Sequence, residues 1–521
     1  MNQGCWKVDD SDEVHPTKSD RHHNFSKILY NKLYSSKNTG SKAVYIDIEN
    51  VSDDEENKEY SKWSELPDLL LEEIFSYLEI REKYYASLVC RNWYRAFRLP
   101  YVWNRFVLRD NTLTRSRFNY YSGWQYVLDH VRCQACLAGF GKHFKHLTIK
   151  PMLNFYNLYE FMNMISWYTE QREQKENVEL GVGSNIKFFK FTFPCDMTLE
   201  EDDNERNRLF GTGGKILQAI KRLMGNLKKL ENLQLIDLML DPTEAQYLLD
   251  EVCESRCLTL RTLFLINTTK VQYELLHVGV FLNLKELHIS PQNLGDNLVE
   301  LLGYTKLKHL HIVQNKYTSD KINIMPVSSR SWKKCRTDNN SLNVHLEIES
   351  IDTKTMIWQE NAPVRSITYD SPQIGVKLDA IVTAIDFYGN DLRIYGHKNI
   401  PMFKQSKLIT ERADENLVML VQQCTYLSML IITERISTCT VLLLAYYGRN
   451  LKRLYIRGDA VIIETDWKPK PDWTDEFYFW LETNSQTYES VEKEVSQILG
   501  YKWRFLEDEE FKRLDINLHD Y

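Results

Sequence analysis

The chain has 521 residues, and its 65 Lys and Arg against 72 Asp and Glu leave a formal net charge of −7. That length is a prior for about two to four domains, and a hydrophobic content of 43% lets most of the chain bury a core. The acidic balance argues against a dedicated nucleic-acid binder, which is usually basic.

Residues 1–60 are polar, charged and short of aliphatics, a composition that reads as a disordered acidic tail. The start, Met1-Asn2-Gln3-Gly4-Cys5, lacks the apolar run of a signal peptide. Asn2 breaks the myristoylation pattern, and the Leu518-His519-Asp520-Tyr521 end is no prenylation box. Inside the tail, Val44-Tyr45-Ile46-Asp47-Ile48 precedes Ser52-Asp53-Asp54-Glu55-Glu56. A short β-prone run with an acidic skirt suits strand addition to a partner's sheet edge, and this one resembles a SUMO-interacting motif. Ser52, ahead of four acids, is a candidate phosphorylation site.

The next segment runs from Trp63 to Phe106. Pro67 suits the first turn of a helix, where its missing N–H costs nothing. Leu70, Ile74 and Leu78 follow at intervals of four, with Leu71 and Phe75 alongside, an apolar stripe too wide for one small partner face. A second helix is expected over residues 82–89 with Tyr85, Leu88 and Val89 inward. A third is expected over 91–97, with Trp93 and Phe97 on one side. So few residues rarely stand alone, and the surplus apolar surface implies a partner. An ordinary helical hairpin packed on its own domain is the competing reading.

The motif order is Leu66-Pro67, then Ile74 and Leu78 at helical spacing, then Leu88-Val89-Cys90-Arg91-x-Trp93, then Pro100-x-x-Trp103. It resembles the F-box family. In that family the helices pack on the Skp adaptor, which joins them to a cullin–RING ligase. The contact set this resemblance implies is Leu66, Pro67, Leu70, Ile74, Leu78, Leu88, Val89, Cys90 and Trp93, with Trp103 as the closing aromatic. Tyr84-Tyr85 departs from the usual aliphatic pair.

Residues 111–140 are rich in aromatics and are expected to be helical in part. From residue 144 a phrase of the form apolar-x-x-Leu-x-apolar recurs. Its copies begin at Phe144, Leu230, Leu260, Leu284, Leu307, Val364 (a weaker one), Leu427 and Leu451. Neighbouring starts at 260, 284 and 307, and at 427 and 451, are separated by about the period of leucine-rich repeats. Each copy turns two alternate strand residues inward. Helix-like connectors such as 241–252 and 294–302 cover them, and no copy can bury its own face without neighbours. Two charged inserts interrupt the series, an acidic and then Gly-rich one at 197–214 and a basic one at 315–341. The aromatics between Trp467 and Trp503 read as a closing helical cap or as a substrate groove.

The chain carries few signatures of catalysis or metal binding. Gly211-Thr-Gly-Gly-Lys215 fails the phosphate-loop pattern, whose first and last positions fall on Leu209 and Ile216. Cys133-x-x-Cys136 followed by His143-x-x-His146 supplies four soft ligands, but at a spacing shorter than a zinc finger's. The most apolar stretch, 427–447, is broken by Glu434 and Arg435, which argues against a membrane span. Ten scattered cysteines fit reduced thiols in a cytoplasmic or nuclear protein.

The expected fold class is α/β: a three-helix F-box, an irregular leucine-rich-repeat solenoid and a helical C-terminal cap. The expected divisions are 1–60 tail, 61–108 F-box, 109–143 helical linker, 144–466 solenoid with charged inserts, and 467–521 cap. The resemblance implies a non-catalytic subunit of an SCF (Skp–cullin–F-box) E3 ubiquitin ligase. It would bind the Skp adaptor through the F-box and an unidentified protein target through the repeats, with no cofactor, metal, nucleic acid or membrane. The alternatives are an F-box scaffold outside any ligase and a zinc-dependent or otherwise cryptic enzyme.

Overall fold

The structure is a computed structural model. It describes residues 62–519 except 121–122, 153, 174–180, 195–212, 319–323, 350–355, 373–374, 376–377 and 403–407. The expected tail, its SUMO-interacting-like segment and most of the acidic insert lie outside the described residues. The chain divides into two compact units between Ile186 and Lys187.

The first unit opens with three short helices, α1 (Asp68–Tyr77), α2 (Ile80–Ser87) and α3 (Arg91–Phe97). Pro67 starts α1 by accepting from the N–H groups of Leu70 and Leu71 at 3.0 and 3.1 Å. Glu79 and Glu82 form a reciprocal capping box, which starts α2 at Ile80 rather than at the expected 82. Strand β1 (Arg105–Leu108) follows. The expected helical linker is instead an antiparallel hairpin, β2 (Thr114–Asn119) and β3 (Gly123–Leu128), and then α4 (His130–Phe140). Alternating Thr, Arg and aromatic residues favour strands at the hairpin. Helix starts only where the Asp129 carboxylate accepts from the N–H groups of Val131 and Arg132. Strand β4 (His146–Ile149) pairs in parallel with β1, and α5 (Phe155–Glu173) closes the unit.

The second unit is a ladder of ten parallel strands in chain order: β5 (Phe188–Thr192), β6 (Asn232–Ile236), β7 (Thr262–Ile266), β8 (Glu286–Ile289), β9 (His309–Gln314), β10 (Asn343–Ile348), β11 (Val364–Tyr369), β12 (Ile394–His397), β13 (Met429–Ile432) and, after a short β14 (Ile436–Ser437), β15 (Arg453–Ile456). A further short strand, β16 (Val461–Ile462), pairs with β14. The connecting helices are α6 (Lys215–Asn226), α7 (Pro242–Arg256), α8 (Asp296–Gly303), α9 (Ser329–Asp338), α10 (Leu378–Tyr388), α11 (Asp414–Gln423) and α12 (Thr438–Tyr447). One register row, Leu235, Leu265, Ile289, Ile312, Leu346, Ile367, Tyr395, Leu430 and Leu454, crosses nine strands and is buried throughout. A continuous apolar row of this kind is what a sheet covered by helices needs.

Two expectations change here. The basic insert at 315–341 contains a connecting helix, α9, rather than an interruption of the series. Ser328 caps α9, and Trp332 and Cys335 are fully buried beneath it. Two of its cations are paired, Lys334 with Glu300 at 2.6 Å and Arg336 with Asp391 at 2.7 Å. The C-terminal region does not end as a simple cap. Helices α13 (Asp475–Asn484) and α14 (Tyr488–Leu499) pack beside α12, and Trp503 donates to the Leu454 carbonyl at 2.7 Å. The chain then turns back: Leu506 donates to the Ile456 carbonyl at 3.0 Å, and the Arg457 guanidinium forks onto Asp508. From α15 (Asp508–Lys512) onward, Phe511 and Leu518 are buried against Ile394, Met429 and Ile431. These three alternate with the helix-facing row, so residues 506–519 lie on the opposite face of the sheet.

Candidate partner-binding face

Helix α1 divides its apolar residues between two sides. Leu71 and Phe75 are fully buried, with Phe75 edge-on to Trp93 at 5.8 Å between ring centroids. Leu70 and Ile74, one turn apart, face solvent at 53% and 36% exposure, and Tyr77 is more exposed still. The turn between α2 and α3 adds Leu88 and Val89, at 45% and 65%. Exposed apolar groups gathered on one short helical segment make it the candidate interaction surface. Tyr85, Leu88 and Val89 were expected inward, and all three are exposed. The inward positions of α2 are instead Lys83 and Ser87. Leu66, Leu78, Cys90 and Trp93 are half-buried, and Pro67 is exposed.

Trp103 corrects the expected contact set. It is 3% exposed, stacks on Phe140 at 4.1 Å and donates from Nε1 to the Phe97 carbonyl at 2.7 Å. It therefore supports the helices from behind rather than offering a contact. Beside it sits a group the apolar pattern could not indicate. Lys83 Nζ is buried, donates to the Val102 carbonyl at 2.7 Å and lies over the Trp103 ring. Burial pulls its pKa from the ordinary 10.5 down to about 8. The Trp93 indole donates to the Trp63 carbonyl at 2.9 Å, and Asn92 donates to those of Ser64 and Leu66. These bonds hold the entering chain against α3.

The candidate zinc ligands do not converge. Cys133 and Cys136 are buried in α4, and burial pushes the Cys136 thiol up to about 12. Burial also lowers the pKa of His143 and of His146. Among the described residues, metal-ligand side chains gather in two other groups, His309 with His345 and His519, and Glu286 with His288 and His311. The C-terminal aromatics are largely anchored: Trp467 and Trp503 are buried, Trp473 donates to the Tyr447 hydroxyl and Trp480 to Glu494, while Phe479 remains exposed. An open cleft of about 550 Å³ in the second unit is lined by Lys187, Lys228, Lys229, Arg261 and Lys285 around Glu231. These cations come from the segments leading into four strands, β5 to β8, with only Lys228 and Lys229 adjacent, so no longer run of basic residues announced the cleft.

Comparison with known proteins agrees with the helical segment. No curated protein matches the chain. The crystal structure of the Rad7 and Elc1 complex in yeast is similar at 14% identity, over 79% of this chain and 93% of that one, with a TM-score of 0.35, too low to bear on fold or partners. The match that bears on the site is local: residues 63–105 match the F-box domain family.

Proposed function

We propose that this chain is a substrate-recognition adaptor of an SCF-type ubiquitin ligase. The observation that carries the reading is the F-box domain at 63–105 with Leu70, Ile74, Leu88 and Val89 turned to solvent. F-box domains typically bind Skp-type adaptors. Here the contact would be apolar burial by those four residues, flanked by Leu66, Pro67, Leu78, Cys90 and Trp93, with Trp103 holding the scaffold. F-box proteins are generally non-catalytic, so the role is proximity. The chain raises the effective concentration of a target near the conjugating enzyme.

We read the second unit as a degenerate leucine-rich-repeat array that holds the target. Its parallel strands, one per repeat, and its helix-covered apolar row support this reading. Its basic cleft suits an acidic or phosphorylated segment of a target, and the expected setting is cytoplasmic or nuclear. The test is affinity purification of the wild-type chain and of the triple variant Leu66→Ala, Pro67→Ala, Ile74→Asp. A Skp adaptor and a cullin recovered with wild type alone support the ligase reading. Adaptor without cullin favours a scaffold outside a ligase, and neither protein with wild type rules out both.

A further inference from the structure

On the sheet face opposite the helices, one register row reads Phe264, His288, His311, His345 and Ser366 across β7 to β11. Neighbouring rings stack at 3.7, 3.9 and 4.3 Å. His309 precedes the row on β9, and His519 arrives from the returning C-terminal segment and stacks on His309 at 3.8 Å. His311 and His345 are almost wholly buried. Burying this many imidazoles together costs free energy unless every ring nitrogen finds a partner.

We propose that His309, His345 and His519 form a binding site for a divalent cation of the zinc class, and that the bound ion fastens the C-terminal segment to the open face of the sheet. One nitrogen from each lies within 4.8 Å of the other two. His309 Nδ1 and His345 Nε2 are already 3.1 Å apart. Imidazole nitrogens sharing a tetrahedral zinc, with bonds of about 2.0–2.1 Å, sit about 3.3 Å from one another, so small side-chain rotations close the triangle. The surroundings orient the rings as outer partners of a metal site do. His345 Nδ1 lies 2.7 Å from Ser366 Oγ; donation there leaves Nε2 with its lone pair toward His309. His519 Nε2 lies 3.0 Å from His311 Nε2, and His311 Nδ1 lies 2.5 Å from the Glu347 carboxylate. Glu347, His311 and His519 thus form a carboxylate–imidazole chain that positions the third ligand. Three imidazole ligands with a fourth position left to water suit zinc better than the hard cations, which take oxygen ligands.

The consequence is mechanical. His519 is separated from His309 and His345 by most of the second unit, so the ion closes a long loop and ties down residues 506–519. Removing it would loosen the segment that covers Ile394, Met429 and Ile431. This site does not depend on the F-box reading.

The experiment uses the full chain, stripped with EDTA and titrated with Zn²⁺ against a chromophoric chelator, and with Co²⁺ for its d–d spectrum. We expect about one equivalent bound with a tetrahedral cobalt spectrum, and a loss of affinity of about tenfold or more in His309→Gln and in His519→Gln. His277→Gln, paired with Asp250 elsewhere, should bind as wild type. Zn²⁺ should also slow proteolysis after residue 500 in wild type and not in His519→Gln. Circular dichroism identifies any variant that fails to fold, and the other variant with the wild-type cobalt spectrum then decides. Binding below about a tenth of an equivalent means a metal-free histidine network and overturns the proposal. So does wild-type affinity in both folded variants.

Discussion

Ile74→Asp and Trp103→Ala should separate the two sides of the F-box helices. Fully burying a Leu, Ile or Val side chain is worth roughly 1.5–3 kcal/mol. Leu70, Ile74, Leu88 and Val89 retain between 36% and 65% of their exposure, so covering what remains contributes together about 4–5 kcal/mol to a complex, before the cost of association. Aspartate at 74 forfeits one share of this and places a charge in an apolar contact, so binding to a purified Skp-type adaptor should weaken by about 3 kcal/mol or more, roughly 100-fold. The free chain should lose only about 1–2 kcal/mol, because at 36% exposure part of the side chain already meets water. Trp103→Ala should do the reverse. At 3% exposure, with its Phe140 stack and its bond to the Phe97 carbonyl, it should cost about 3–5 kcal/mol of stability. Calorimetric titration with the adaptor and denaturant unfolding read the two quantities on the same preparations. Adaptor binding by Ile74→Asp within threefold of wild type would falsify the assignment of this face, and so would equal destabilisation by both variants.

Three other outcomes follow from buried groups. The Lys83 pKa of about 8 against 10.5 means that the folded chain holds fewer protons than the unfolded chain between those values. Stability should therefore rise with pH across that window by about 3 kcal/mol at most, and Lys83→Met should flatten the rise in denaturation measured at pH 7.5 and 10. The Arg412 guanidinium is 1% exposed, donates to Asp414 at 2.9 Å and also pairs with Asp466. Arg412→Leu leaves Asp414 buried without its cation and should cost about 3–5 kcal/mol; a loss below 1 kcal/mol in urea unfolding would contradict that account. Phe511→Ala should cost a similar amount and speed protease cleavage after residue 500, and unchanged cleavage would show that the returning segment is held by something else.

The local repeats were legible because each depends on a few adjacent residues. Leu-x-Leu or Leu-x-Ile pairs at near-constant period marked β6, β7, β8, β9, β13 and β15, and Leu66-Pro67 with the spacing of Ile74 and Leu78 marked the F-box. Strands β5, β10 and β12 escaped. Phe189 and Phe191 replace the leucines in one, and Tyr395 and Gly396 interrupt another. In β10, Val344 and Leu346 sit behind a basic stretch read as an insert. Periodicity also could not say which side of α1 is buried, since Leu70 and Leu71 are equivalent in hydropathy. The packing of Phe75 on Trp93 decides it, and Trp103 went inward because Phe140, nearly 40 residues on, offers it a stacking face. The sequence by itself determined the F-box domain and the strand-forming phrases, since those arise from neighbours along the chain. Only the tertiary structure decided that residues 506–519 turn back over the sheet and bring His519 to His309 and His345. That meeting depends on the register of parallel strands and on the path of the C-terminal segment, and neither is written in any local pattern.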